Sequence, residues 1–524
     1  MNAPAVHTGD ADARTPVLVG AGQITQRPER GADPRTARGP LQLMVDAARA
    51  AAADAGPAQA LLASLQAVVV IRLFADTSPR FVDPAGRFTN LPRSVAQRLG
   101  ADAAQQLVYT WPGGNMPQWS INRLGEQVAA GQLQAALVVG AEALATWRMG
   151  QRANVPLGWH EDPGGTPEAW GDARRGWSDV ESAHGARAAI VMYPMFENAI
   201  RHHLGRSIDE HQAAMGRWLE PFAKTAAANP LADRRGGYSP AHIATPGPDN
   251  PWIGWPYTRL MSANAYIDQG AAVILTSVAQ AKALGVPEDR WVFLHGCADA
   301  HDHWHVSQRR NFHSAPAMAA VFEQAFAMAG KTMAEMRHLD IYSCFSSAVE
   351  VACGALGLQP DDPRGLTVTG GLPYFGGPGN NYVTHSIAQM VQVLRADRGS
   401  FGLVTANGNY LTKHSAGIYS TERPAVHFAP EPPSVLQSRL DASVPSPAFV
   451  PLASGEAVVE SYTVMHERAG PSAGVLFGRL MDGARFIANT PVDASLFASM
   501  QAEDFIGRRG GVSNDGSRNV WVPV

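Results

Sequence analysis

Between His338 and Gly417 the sequence three times runs an apolar stretch into small and polar residues, then resumes with apolar residues. HLDIYSCFSSAVEVACGALGL reads as a buried strand entering a helix, with Tyr342, Ser343 and Cys344 at the junction. LTVTGGLPYFGGPGNNYVTHSIAQMVQVLR carries Asn380 and Asn381 through a Gly-rich turn to the start of another helix. FGLVTANGNYLTKHSAGIYS breaks at Asn407-Gly408 and resumes past Lys413 and His414. Polar and small residues at strand ends and helix starts are where α/β enzymes build their sites. The pattern predicts an α/β fold with an enzyme-like cleft.

A chain of 524 residues exceeds what one small core needs, so two or three domains are expected. Its 42 basic residues nearly balance 46 acidic ones, and no long basic tract is present, which argues against a nucleic-acid partner. The three cysteines, Cys297, Cys344 and Cys353, have neither zinc spacing nor a disulfide framework, and fit a cytoplasmic protein. The lead MNAPAVHTGDADARTP lacks the basic and apolar regions of a signal peptide. No run of eighteen apolar residues predicts a membrane span.

Taken in order, VLVGAGQITQR predicts a strand and a glycine turn at Gly20 and Gly22, without the GxGxxG spacing of a dinucleotide site. GPLQLMVDAARAAAADAG predicts a helix, VVVIRLF a strand, and residues 75–92 an Asp/Pro/Gly-rich loop. TWPGGNMPQ reads as a turn leading into a long helix, whose first N–H groups suit an anion or a carbonyl oxygen. AALVVGAE is a strand ending at Glu142, a carboxylate read as structural before catalytic. Residues 147–192 read as a long irregular covering loop, and 193–240 as lid helices, one of them capped by Ser207 and Glu210. HDHWHVSQRRNFH gathers His301, Asp302, His303, His305 and His313, but no HExxH or cysteine set accompanies them, and no metal is expected. HFAPEPPSVLQSRLDASVPSP reads as a Pro-rich linker to a small β-rich domain.

INRLGEQVAAGQLQAALVVGAEALA, NAYIDQGAAVILTS, DIYSCFSSAVEVACGALG and GGPGNN, over residues 16–421, resemble the thiolase superfamily, sterol-carrier-protein branch. With the extra C-terminal domain, the chain looks most like the bacterial thiolase-like proteins. The resemblance implies a duplicated αβαβα thiolase fold with a helical loop domain and a small β-rich C-terminal domain. The implied divisions are 16–146 with 256–290, 147–255, 291–421 and 435–524. It also implies acyl-CoA or coenzyme A as substrate, with no permanently bound cofactor, and it leaves homodimer and monomer both open.

Family thiolases place a nucleophilic cysteine where this chain has Gly114, and no cysteine precedes Cys297. The family's Asn or His-Asp motif falls on Tyr342 and Ser343, its GHP histidine on Gly377, and its second cysteine near Asn407. The resemblance therefore implies the fold without the ordinary mechanism. Candidate catalytic residues are Cys344, His385, His414, Tyr342, Asn380 and Asn407; candidate coenzyme-binding residues are Gly113, Gly114, Asn115 and Asn381. Cys344 is read two ways, as a thiol activated at a helix start and as a buried packer; Cys353 reads as core. His385 and His414 are the candidate bases. Three functions follow: an acyltransferase of the acetyl-CoA acetyltransferase kind or a carbon–carbon bond enzyme with a rearranged site, a thioester or β-diketone hydrolase, and a non-catalytic acyl-CoA-binding protein.

Overall fold

The computed structural model describes residues 13–29, 31–77 and 86–524. Expectations for residues 1–12 of the lead and 78–85 of the Asp/Pro/Gly-rich loop lie outside them. In chain order the first strands are β1 (Pro16–Gln26), β2 (Ala67–Val70), β3 (Gln106–Thr110), β4 (Ala135–Ala143) and β5 (Glu168–Trp170). They are followed by β6 (Trp252–Trp255), β7 (Tyr257–Thr258), β8 (Asp268–Ser277), β9 (Val292–His301), β10 (Met336–Asp340), β11 (Phe401–Gly408) and β12 (Lys413–Ser420). Ten of these form one sheet in the order β10-β11-β12-β9-β1-β8-β4-β2-β3-β5. Its two halves meet only where Val17 and Leu18 of β1 pair with Phe293 and Val292 of β9.

Each half repeats one plan. Helix Pro40–Ala55 packs outside β1, and helix Pro316–Ala329 packs outside β9. The central helices Met116–Ala129 and Tyr382–Ala396 pack on each other and touch strands of both halves, which gives the five layers α, β, α, β, α. β4 and β8 are buried along their whole length, so they read as unbroken apolar runs rather than alternating ones.

Gly20 and Gly22 make no turn. β1 continues through them, and a Cβ at Gly20 would come 2.1 Å from Ala51 O, one at Gly22 2.2 Å from Ala47 O. These glycines let the alanine-rich helix lie directly on the strand backbone. Gly296 repeats the device in β9, where a Cβ would meet Ala325 O at 2.1 Å.

The insertion is more ordered than its composition predicts. β5 pairs with β3, helix Leu144–Ala153 follows β4, and Asp179–Ala183 is a short capped helix. Helices Ala189–His203 and Ile208–Ala228 cover the second half, the latter with the expected Ser207–Glu210 capping box. The expected linker also contains structure: Pro433 occupies the first turn of a helix, Pro433–Ser443, where its missing N–H costs nothing.

β13 (Gly455–Glu467), β14 (Gly470–Leu480), β15 (Arg485–Asn489), β16 (Arg509–Asn514) and β17 (Asn519–Pro523) build the C-terminal unit. β13 pairs with both β14 and β16, which closes the ring β14-β15-β17-β16-β13 into a small barrel around Tyr462, Phe486, Phe505 and Trp521. The hairpin β6–β7 of the insertion adds to β13, and Asn198 Nδ2 donates to Tyr462 O at 2.8 Å. Among the described residues no helix is long and apolar enough to cross a membrane.

Candidate active site

Four chain turns meet at the backbone of Gly113 and Gly114. The first is Trp111–Asn115, between β3 and helix Met116–Ala129. The second ends at Asn380 and Asn381, where Asn380 Oδ1 accepts from Gly113 N–H at 2.9 Å and Asn380 Nδ2 donates to Arg72 O at 2.9 Å. The third is the β11–β12 turn, which brings the Asn407 carbonyl within 2.6 Å of where a Gly114 Cβ would stand. The fourth follows β10, where Tyr342 Oη would lie 2.2 Å from that same Cβ. Asp340 at the end of β10 fixes the second and fourth turns together by accepting from Thr367, Val368, Thr369, Tyr382 and Ser386.

Tyr342, Asn380 and Asn407 thus converge, along with the expected coenzyme-side residues Gly113, Gly114, Asn115 and Asn381. Their donors are largely committed. Asn381 Nδ2 donates to Gly140 O at 2.7 Å, and Asn407 Nδ2 to Tyr193 Oη at 3.0 Å. An oxyanion hole needs donors aimed at an empty oxygen position, and these amides instead tie loops together. Asn115 differs: it is buried, its Nδ2 reaches Ser415 Oγ at 3.4 Å, and its Oδ1 has no partner. Ser415 in turn donates to Asp299, whose carboxyl burial pushes up to about 7.

The thiol and the two imidazoles each sit in buried surroundings of their own. Cys344 sits near the Asn407 amide, 4.0 Å from Nδ2, but burial pushes its thiol up to about 12. Desolvation there outweighs the helix start that the sequence offered as an activator. Cys353 is buried inside helix Ser346–Leu356 with its thiol raised further. His385 faces β1, with Nδ1 2.9 Å from Gln23 Oε1, and burial lowers it to about 3. His414 points to the opposite face of β12 from Lys413 and Ser415, where Nε2 lies 3.1 Å from Asp302 Oδ2. Gly377 leaves no room for an imidazole without a shift, because a Cβ there would meet Ala263 Cβ at 3.2 Å.

Lys413 was outside the sequence-based set, although its place at the start of β12, beside the Asn-Gly turn, was readable. Its amine donates to Pro112 O and stands 2.6 Å from the Gly113 Cβ position. Burial lowers it to about 8.

A second polar cluster lies behind Phe345, whose ring stacks between Tyr193 at 4.5 Å and Tyr257 at 5.0 Å. Glu197, His211 and Glu350 come from three helices, with His211 Nε2 2.7 Å from Glu197 Oε1 and 3.9 Å from Glu350 Oε1. One imidazole and two carboxylates suit a divalent transition metal. However, Tyr257 Oη and Ser346 Oγ already donate to Glu197 Oε2 at 2.6 and 2.5 Å. The Arg206 guanidinium also lies 3.5 Å from Glu350 Oε2 and 3.3 Å from His211 Nδ1. Glu197 and His211 are thus already held by protein partners, so the residues fit an internal hydrogen-bonded network better than a metal.

The duplicated five-layer core, with four turns meeting at Gly113 and Gly114, defines a protein of the thiolase superfamily. The chain belongs to the SCP2-thiolase-like proteins of type 1. It is 34% identical to a structure described as a monomeric SCP2-thiolase like protein type 1 from Mycobacterium smegmatis, covering 98% of this chain and 100% of that one, with a TM-score of 0.83. A family profile described as the thiolase-like protein type 1 additional C-terminal domain matches residues 435–517. The fold is shared more distantly with an Ltp2–ChsH2(DUF35) aldolase, at 19% identity, 79% and 99% coverage and a TM-score of 0.57. It is also shared with the dimeric peroxisomal thiolase of Saccharomyces cerevisiae, at 13% identity, 78% and 98% coverage and a TM-score of 0.55. No curated protein matches the chain.

Proposed function

We propose that this protein handles an acyl-CoA or related carbonyl substrate in carbon–carbon bond chemistry that uses no cysteine. The observation that carries the reading is the Tyr342 hydroxyl, which occupies the volume where a side chain on Gly114 would lie. A thiolase-type acyl-enzyme needs a thiol at that point, and a phenol there suits hydrogen bonding to a substrate oxygen instead. The narrower activity, acetyl-CoA acetyl transfer, is therefore one member of a test panel. Three free, buried cysteines support a cytoplasmic setting.

The test is a panel of acyl-CoA and β-ketoacyl-CoA esters, with binding followed by calorimetry and free CoA by chromatography. Tyr342→Phe is expected to lower kcat/KM at least about tenfold, the scale of one lost transition-state hydrogen bond, and Cys344→Ala to leave it unchanged. Loss of turnover in Cys344→Ala, or an acylated Cys344 peptide, overturns the reading. Binding without turnover selects the second reading, a non-catalytic acyl-CoA-binding protein, which the committed amides of Asn380, Asn381 and Asn407 favour.

We further propose that the protein is a monomer. β3 is the strand that would otherwise expose an edge in the first half, and the chain's own β5 pairs with it from Val108 to Thr110. Sedimentation at micromolar concentration is expected to give a single species near 55.7 kDa. A dimer would show that this edge is not what limits assembly.

A further inference from the structure

The chain contains four lysines among its 42 basic residues: Lys224, Lys282, Lys331 and Lys413. Lys224 and Lys282 are exposed and Lys331 is half-buried, whereas Lys413 is only 6% exposed and stands at the four-turn junction. Arginine, used almost everywhere else, is always charged and is no nucleophile; lysine is the basic side chain that becomes one when desolvated.

We propose that the Lys413 amine is a reactive group of this site that condenses with the keto carbonyl of its substrate to form an imine. Several independent features of the geometry support this. Lys413 donates to one protein acceptor, Pro112 O, and among the described residues no carboxylate lies within ion-pair distance of it. Its Nζ and the unpartnered Asn115 Oδ1 both stand 2.6 Å from the Gly113 Cβ position, so glycine alone leaves that point open. Asn115 is 3% exposed, and its unused oxygen is placed to accept from an amine or a carbinolamine hydroxyl.

The cover over Lys413 is thin. The Trp304 ring lies 5.8 Å from Nζ, and the exposed Arg174 guanidinium sits 3.8 Å over that same ring. Residues 171–177, which supply Arg174 and Asp172, have no regular structure, and in the proposed reaction the substrate enters through this side-chain layer.

In the step itself the Nζ lone pair adds to the carbonyl carbon, and the nitrogen proton moves to oxygen. The C–O bond of the carbinolamine then breaks and its oxygen leaves as water, having taken one proton from nitrogen and one from solvent. A proton retained on nitrogen gives an iminium, an electron sink for an adjacent carbon–carbon bond. Hydrolysis reverses the sequence, and no oxidant or reductant is consumed.

The charged groups facing the amine are Asp172 and Arg174, whose effects oppose each other, and Asp299 through Ser415 and Asn115. Burial dominates and brings the amine to about 8. Against an exposed lysine near 10.4, that makes free amine on the order of 100-fold more abundant at neutral pH.

The inference rests on the reading that a carbonyl compound enters at Gly113 and Gly114, but its test needs no CoA ester. The intact protein is incubated at neutral pH with acetone and cyanoborohydride, which reduces an imine to a stable secondary amine, and its tryptic peptides are mapped. Labelling of Lys413 is expected to exceed that of each of the other three lysines about tenfold, and the label is absent from Lys413→Arg. Equal labelling of all four lysines, or an unlabelled Lys413 peptide, overturns the proposal. The wild-type map decides the matter even where the variant folds poorly. Failure of acyl-CoA binding in the calorimetric panel would instead remove the substrate reading and leave the imine result standing.

Discussion

Gly114→Cys is expected to destabilise the protein by at least about 2 kcal/mol and to gain no thiolase activity, although the family resemblance puts the thiolase nucleophile at this position. Gly114 does not have the left-handed backbone that would itself exclude a side chain. The obstacle is the room: Tyr342 Oη at 2.2 Å and the Asn407 carbonyl at 2.6 Å from the new Cβ. The carbonyl belongs to β11 and is fixed by pairing with His414 of β12, so the tyrosine ring must move. Tyr342 is buried and its ring packs edge-on against Tyr382 at 5.8 Å, so moving it disturbs the core between the central helices. The same substitution in a Tyr342→Ala background is expected to cost less than the two single changes summed, by about 1 kcal/mol or more, because the clash is then gone. Melting temperatures of the four proteins in this cycle check the expectation. Strict additivity would mean that the two residues do not share that volume.

The parts of this structure that sequence alone made legible are those in which local pattern and tertiary role coincide. β4 is buried on both faces, so its apolar run is its environment written out, and Ser207 caps its helix through atoms three residues away. The family resemblance named residues in all four turns, each a short, contiguous stretch of small residues, and the structure brings those turns together. Gly20 and Gly22 show where that legibility ends. Glycine serves tight turns and close approaches equally, and which one applies depends on a helix that begins eighteen residues after Gly22. Cys344 reads in sequence both as an activated thiol and as a buried packer, and the structure adds burial that raises the thiol; burial is a sum over distant neighbours that no local window contains. The helix Pro433–Ser443 was hidden by prolines that mark linkers and first turns alike. Lys413 was legible only by strand parity, since alternation along β12 puts it with Ser415 on the site face and His414 on the other.

The Glu197–His211–Glu350 network was invisible in sequence for a similar reason: its members come from three helices and share no local spacing. It is also where a single change is expected to do most damage outside the site. Glu197→Ala is expected to cost about 3 kcal/mol or more, at roughly 1–3 kcal/mol for each buried partner left unsatisfied, because it strands His211, Tyr257 and Ser346 together. The two carboxyls are held in opposite states. Burial works to raise Glu197, but His211 beside it and its hydrogen bonds hold it below the ordinary carboxylate value. Burial and the Glu197 charge hold Glu350 well above its ordinary value of 4.5, against the pull of half-exposed Arg206. The signs for stability follow from linkage. Glu197 stabilises above its unfolded value, and that contribution is lost as pH falls through its depressed folded value. Glu350 stabilises fully below its unfolded value, and its contribution is lost as pH rises from there toward its elevated folded one. Glu350→Gln copies the protonated carboxyl but does not ionise on unfolding, so it is expected to match wild type below a pH of about 4.5, to exceed it at neutral pH, and to flatten the loss of stability between them. Denaturant melts of wild type, Glu197→Ala and Glu350→Gln from acid to alkaline pH measure both arms. If Glu350→Gln instead unfolds the protein as Glu197→Ala does, Glu350 is ionised in the fold and Arg206, not a proton, is its partner.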